Sequence, residues 1–186
     1  MGAVGAVGAV GAVILLTACA HSPAPAVVIQ ETPSVGDVIQ KATEVRTGHF
    51  LVRALTARCG ITSITGTHAE LTPSHPLCRI RVRVVSDDTS FHTFDTSRQR
   101  LVFVGGASVA PSGEAMQIKR QPDNLDVGAH DALELELWFA EPDLGVAKVL
   151  RVAGDTDKGP PGTFSTLDGP ATADILLNGL APTPHA

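Results

Sequence analysis

Tyrosine is absent from this 186-residue chain and tryptophan occurs once, at Trp138. Aromatic platforms on which sugars or bases stack therefore cannot be numerous, which counts against a carbohydrate-binding module. Basic residues are scarce: no lysine or arginine precedes Lys41, and the formal net charge is -5. The chain offers no general reason to bind nucleic acid. A serine-hydrolase elbow is missing too, because Gly106-Ala107-Ser108-Val109-Ala110 lacks the closing glycine of G-x-S-x-G and falls between predicted strands. Asp155-Thr156-Asp157, Asp123 and Asp126 lack EF-hand spacing and its final glutamate, so they read as a solvated acidic loop rather than a calcium site. No nucleophile and base stand out, no cofactor is implied, and the chain reads as a non-enzyme.

What is present begins at the N-terminus. An apolar stretch opens at Gly2 with a Gly-Ala-Val triplet repeated four times and closes on Leu16-Thr17-Ala18-Cys19. A short apolar segment ending in a small residue before cysteine is where a secretory signal is cut, and the segment resembles a bacterial lipoprotein signal with those four residues as its lipobox. The resemblance implies a signal over 1–18, a diacylated (palmitate-type) Cys19 and an extracytoplasmic, membrane-anchored product. A signal normally opens with positive charge. Its absence here implies a true start codon further upstream or an expanded repeat within the apolar region. An uncleaved helical anchor is the competing reading, weakened by the four glycines of the repeat. Residues 19–34 are rich in Ala and Pro and carry no period, so they read as a tether. At the ~3 Å per residue of polyproline II, this tether holds the rest of the chain some tens of ångströms from the membrane.

From 35 to 180 apolar residues recur with period two between Gly, Pro, Asp and Ser clusters, the pattern of an antiparallel β-sandwich or barrel. Residues 181–186 form a tail. Strands are predicted over 48–58, where two-sided apolarity points to a central position, and at Cys78, Ile80, Val82 and Val84, which alternate with Arg79, Arg81 and Arg83. Leu133, Leu135, Leu137 and Phe139 alternate with Glu134, Glu136 and Trp138, mirroring the arginine strand in charge. Leu101–Val104, Met116–Lys119, Val146–Val152 and Ile175–Leu177 are weaker candidates, and no segment reads as a long helix. With Cys19 lipidated, Cys59 and Cys78 are an even pair in an oxidising compartment, and a disulfide between them is expected. Free thiols, or metal ligation together with His75, are the alternatives.

The run Gly48-His49-Phe50-Leu51-Val52, then Cys59-Gly60, then Cys78-Arg79-Ile80-Arg81-Val82 resembles the telokin-like, immunoglobulin-like domain of actinobacterial exported lipoproteins. Arg100-Leu101-Val102-Phe103, Asp126-Val127-Gly128 and Phe139-Ala140-Glu141-Pro142 extend the likeness over roughly residues 35–152. The chain departs from the family pattern around Ser86 to Asp88 and at Val127. The resemblance implies an immunoglobulin-like β-sandwich related to a secreted mycobacterial immunogenic protein, with function largely unknown and no catalytic residues to carry over.

Two sets of side chains are candidates for binding. Arg79, Arg81 and Arg83 project from one strand face toward an anionic partner, or else pair across the strands with Glu134 and Glu136. Trp138, outward by alternation, is either an exposed contact residue or a covered one. Histidines 49, 68, 75, 92 and 130 offer imidazoles for zinc or copper, with His68 and His75 the pair to test, although solvated loop histidines are the favoured reading. The function expected is a membrane-anchored protein-binding or adhesion module with an envelope or extracellular protein partner. The alternative is an envelope carrier of a small ligand or metal.

Overall fold

The computed structural model describes residues 36–41, 44–141, 144–155 and 170–180. The expected signal, Cys19, the tether over 19–34, Pro142, Thr156-Asp157 and the tail 181–186 lie outside the described residues.

Along the chain, β1 (Val38–Ile39) and β2 (Val45–Thr47) lead into the long β3 (Phe50–Ile61). A small hairpin of β4 (Ile64–Thr65) and β5 (Glu70–Leu71) precedes β6 (Leu77–Ser86). There follow β7 (His92–Asp95), β8 (Arg100–Phe103), β9 (Ser108–Val109), the helix α1 (Gly113–Ile118), β10 (Asn124–Val127), β11 (Ala132–Ala140), β12 (Ala147–Ala153) and β13 (Thr172–Leu176). Among the described residues every strand pairing is antiparallel, and the fold is an all-β sandwich. One sheet runs β1-β3-β6-β11 with β2 also on β3; the other runs β13-β12-β8-β9. β7 and β10 form a two-stranded ribbon.

Period-two alternation is what lets the sheets bury one face each. Phe50, Val52 and Ala54 of β3, Ile80, Val82 and Val84 of β6, and Leu135, Leu137 and Phe139 of β11 share one buried cluster with Leu101, Phe103, Leu150, Val152 and Ile175 of the second sheet. Phe94 and Val127 of the ribbon join them. Each fully buried Leu, Ile or Phe stabilises the fold by about 1.5–3 kcal/mol relative to exposure. The prediction that β3 is central holds, since β1 and β2 lie on one side of it and β6 on the other. Cys59 and Cys78 form the expected disulfide, joining β3 to β6.

Two buried glutamines act as side-chain rungs where the backbone ladders stop. Gln99 donates to Ala153 O and accepts from Ala153 N, and Gln40 does the same with Asn178. Each amide thereby satisfies a peptide group that would otherwise be unpaired. Arg151 on β12 holds Asp174 on β13 by two hydrogen bonds, which lower the Asp174 carboxyl below the usual carboxylate range.

One predicted strand is corrected. Met116 and its neighbours belong to α1, because the Ser112 side chain accepts from Ala115 N and so caps a helical turn. Ala115 and Met116 are buried. The segment bridges to β11 through Pro111 and Phe139, and the Gln121 side chain accepts from Glu136 N, covering what would be an open sheet edge. Ser108 lies in β9, paired to Val102, so the Gly106–Ala110 segment is a hairpin connection.

Candidate functional site

Strand register decides what the arginine row can do. Arg83 lies opposite Glu134 and Arg81 opposite Glu136, with Arg79 opposite Trp138. The ion pairs form on the diagonals: Arg81 to Glu134 at 2.5 Å and Arg79 to Glu136 at 3.4 Å, with Arg79 also meeting Asp37. Two of the three arginines are thus engaged as cross-strand partners. Arg83 is exposed, and no ion pair involves it among the described residues. On its other side it faces Arg53 of β3, which is likewise exposed and without an ion pair among the described residues. Like charges directly opposite on neighbouring strands are destabilising. The outer face of this sheet therefore carries a cationic centre, Arg53 and Arg83, beside a neutralised flank.

Trp138 does point away from the core leucines, yet it is only 2% exposed and offers no contact surface to a partner. The segment around α1 lies against that side of β11. Lys119 Nζ sits 5.5 Å and Arg79 Cζ 5.8 Å from the ring, and the indole donates to Glu136 at 3.2 Å. Its role is to anchor the covering helix, with the two cations each adding about 0.5–1 kcal/mol of cation–π attraction.

A second constellation lies at one end of the sandwich, where His49, Asp88 and His92 are all buried. Four chain segments meet there: the turn between β2 and β3, the loop after β6, the start of β7 and the end of β12. The first and last are pressed together. Gly48 has φ +51, and a Cβ there would collide with the carbonyl of Asp155; a Cβ on Gly154 would collide with the carbonyl of Thr47. His49 N donates to Asp155 O at 3.0 Å and Gly154 N to Thr47 Oγ1 at 3.0 Å, closing the contact. Only glycine permits backbones this close.

Within that frame, Asp88 Oδ2 lies 3.2 Å from His49 Nδ1 and 2.9 Å from His92 Nε2. Asp88 Oδ1 accepts from the Thr89 amide and hydroxyl. The other nitrogen of His92 is 3.4 Å from Asp155 Oδ2. The imidazole rings stack with centroids 3.8 Å apart and 13° between planes. A carboxylate taken out of water needs hydrogen-bonding partners around it, and the two imidazoles and Thr89 stand in those positions.

This corrects the histidine reading in part. His68, His75 and His130 are exposed, as solvated loop residues are, but His49 and His92 are buried partners. His68 and His75, the pair singled out from the sequence, join no metal-capable cluster among the described residues. Cys59 and Cys78 lie near Glu141 but are oxidised to a disulfide and offer no thiolate. Asp155 belongs with His92, while Asp126 accepts from Thr93 Oγ1 and Asp123 is exposed. The four-residue interval from Asp88 to His92 was the one local signal. The approach of His49 and Asp155 depends on tertiary pairing and left no mark in spacing.

No family model matches the chain, and no curated protein matches it. Among solved structures, the yjhA protein from Bacillus subtilis is similar at a TM-score of 0.49 and 13% sequence identity, over 78% of this chain and 98% of that one. At that distance the likeness carries no functional implication.

Proposed function

We propose that this protein is an envelope-anchored, non-enzymatic binding module that docks an acidic protein surface through Arg53 and Arg83. A lipid on Cys19 holds it at the outer side of the cell membrane, and the Ala/Pro-rich tether sets its reach. The observation that carries the reading is the exposed arginine pair facing itself across β3 and β6. A local arrangement that costs stability is expected where function requires it. Its sign is opposite to the protein's net charge of -5, so it is a local feature and not a consequence of composition. The likeness to telokin-like exported lipoproteins and the disulfide support the same address.

The test is cross-linking in intact cells followed by mass spectrometry on the native protein, Cys19→Ala, Arg53→Ala/Arg83→Ala and, as a control on the other sheet, Arg151→Ala. The reading predicts a discrete acidic partner that is retained by the control and lost from both the double variant and the unanchored chain. Identical cross-links in the double variant, or no specific partner for the native protein, would contradict it.

A further inference from the structure

We infer that His49, Asp88 and His92 form a binding site for a divalent transition ion, Zn(II) in the first instance, with Asp155 positioning His92. The site is separate from the cationic face, so either can fail without the other.

Donor chemistry selects the ion. Two imidazoles and one carboxylate suit zinc and its late first-row neighbours, whereas calcium and magnesium require oxygen ligands throughout. Spacing agrees. One ligand atom from each of His49, Asp88 and His92 lies within 4.8 Å of the others. Tetrahedral zinc with bonds of about 2.0–2.1 Å sets its ligands a little over 3 Å apart. The observed 3.2 and 2.9 Å contacts to Asp88 are within a few tenths of an ångström of that value.

The surroundings are those of a supported site. A metal-bound histidine usually gives its other nitrogen to a carboxylate, and ligating carboxylates are themselves hydrogen-bonded. Asp155 lies 3.4 Å from His92 Nδ1, and Thr89 holds the second oxygen of Asp88. His130 N donates to Asp88 O at 3.1 Å, and His49 N to Asp155 O, so the backbone ties the Asp88 loop to the turn before β11 and the His49 turn to the segment that carries Asp155. A metal lies near the plane of each imidazole it binds. Its entry therefore turns the two stacked rings apart by side-chain rotation, which supplies a direct signature.

The full-length chain, purified in detergent and stripped with a chelator, is titrated with Zn(II) and followed by native mass spectrometry, competition with a chromophoric chelator and nuclear magnetic resonance of nitrogen-labelled histidine. One zinc per chain is expected, with the His49 and His92 ring signals moving and those of His68, His75 and His130 staying in place. Asp155→Asn is expected to weaken binding by ~10–100-fold. Asp88→Asn and His92→Gln should abolish it, and His68→Gln/His75→Gln should leave it unchanged. Should a buried variant fail to fold, the ring signals of the native chain decide alone. Absence of stoichiometric zinc, signals that move at His68 or His75 instead, or folded Asp88→Asn and His92→Gln variants that bind like the native chain would each overturn the assignment.

Discussion

At the scale of single residues, position in the register outweighs residue type. Arg79, Arg81 and Arg83 look equivalent in the sequence, yet two are taken up by Asp37, Glu134 and Glu136 and the third faces Arg53. Removing one member of the opposed pair relieves repulsion. Arg53→Ala is expected to raise stability by a few tenths to about 1 kcal/mol, read as a higher midpoint in urea unfolding that narrows in high salt. A drop in stability would mean that the arginine is structurally paired. Trp138 shows the same lesson in reverse. Alternation places it correctly on the outer face of β11, but period two cannot foresee that a six-residue helix will cover that face.

Among elements, the contact between the β2–β3 turn and the end of β12 matters most, because it brings His49 and Asp155 to Asp88 and His92. Gly154→Ala sets a methyl group against the Thr47 carbonyl, where only backbone movement makes room. It is expected to cost about 3 kcal/mol, the upper part of the overpacking range, and to impair zinc binding together with folding stability. Urea unfolding and the zinc titration measure the two effects; a neutral substitution would show the contact to be loose. The long strands β3, β6 and β11 are legible in the sequence because each repeats its alternation over several pairs of residues. The short strands β1, β2, β4, β5 and β9 are not, since two or three residues hold no period. α1 reads as a strand because its few apolar residues fit either geometry, and only the Ser112 cap distinguishes them. β7 and β10 are set by pairing with each other, a long-range fact absent from local pattern.

For the whole molecule, the disulfide connects the tertiary fold to the proposed compartment. It joins neighbouring strands of one sheet across a sequence separation of 19 residues. Cys59→Ser/Cys78→Ser is expected to lose about 3 kcal/mol in the chain-entropy model, measured by denaturant unfolding with and without reductant; no loss would show that the bridge is dispensable in the folded protein. Disulfides form and persist in oxidising compartments, which agrees with the proposed address, tether and partner-facing sheet. The claim on which the account rests is therefore the address given by Cys19, and intact-mass analysis of the protein extracted from the membrane fraction tests it most directly. The account predicts a chain that begins at Cys19 and is heavier than its polypeptide by a diacylglyceryl group. A chain that retains Met1, or an unmodified protein recovered from the cytoplasm, would contradict it.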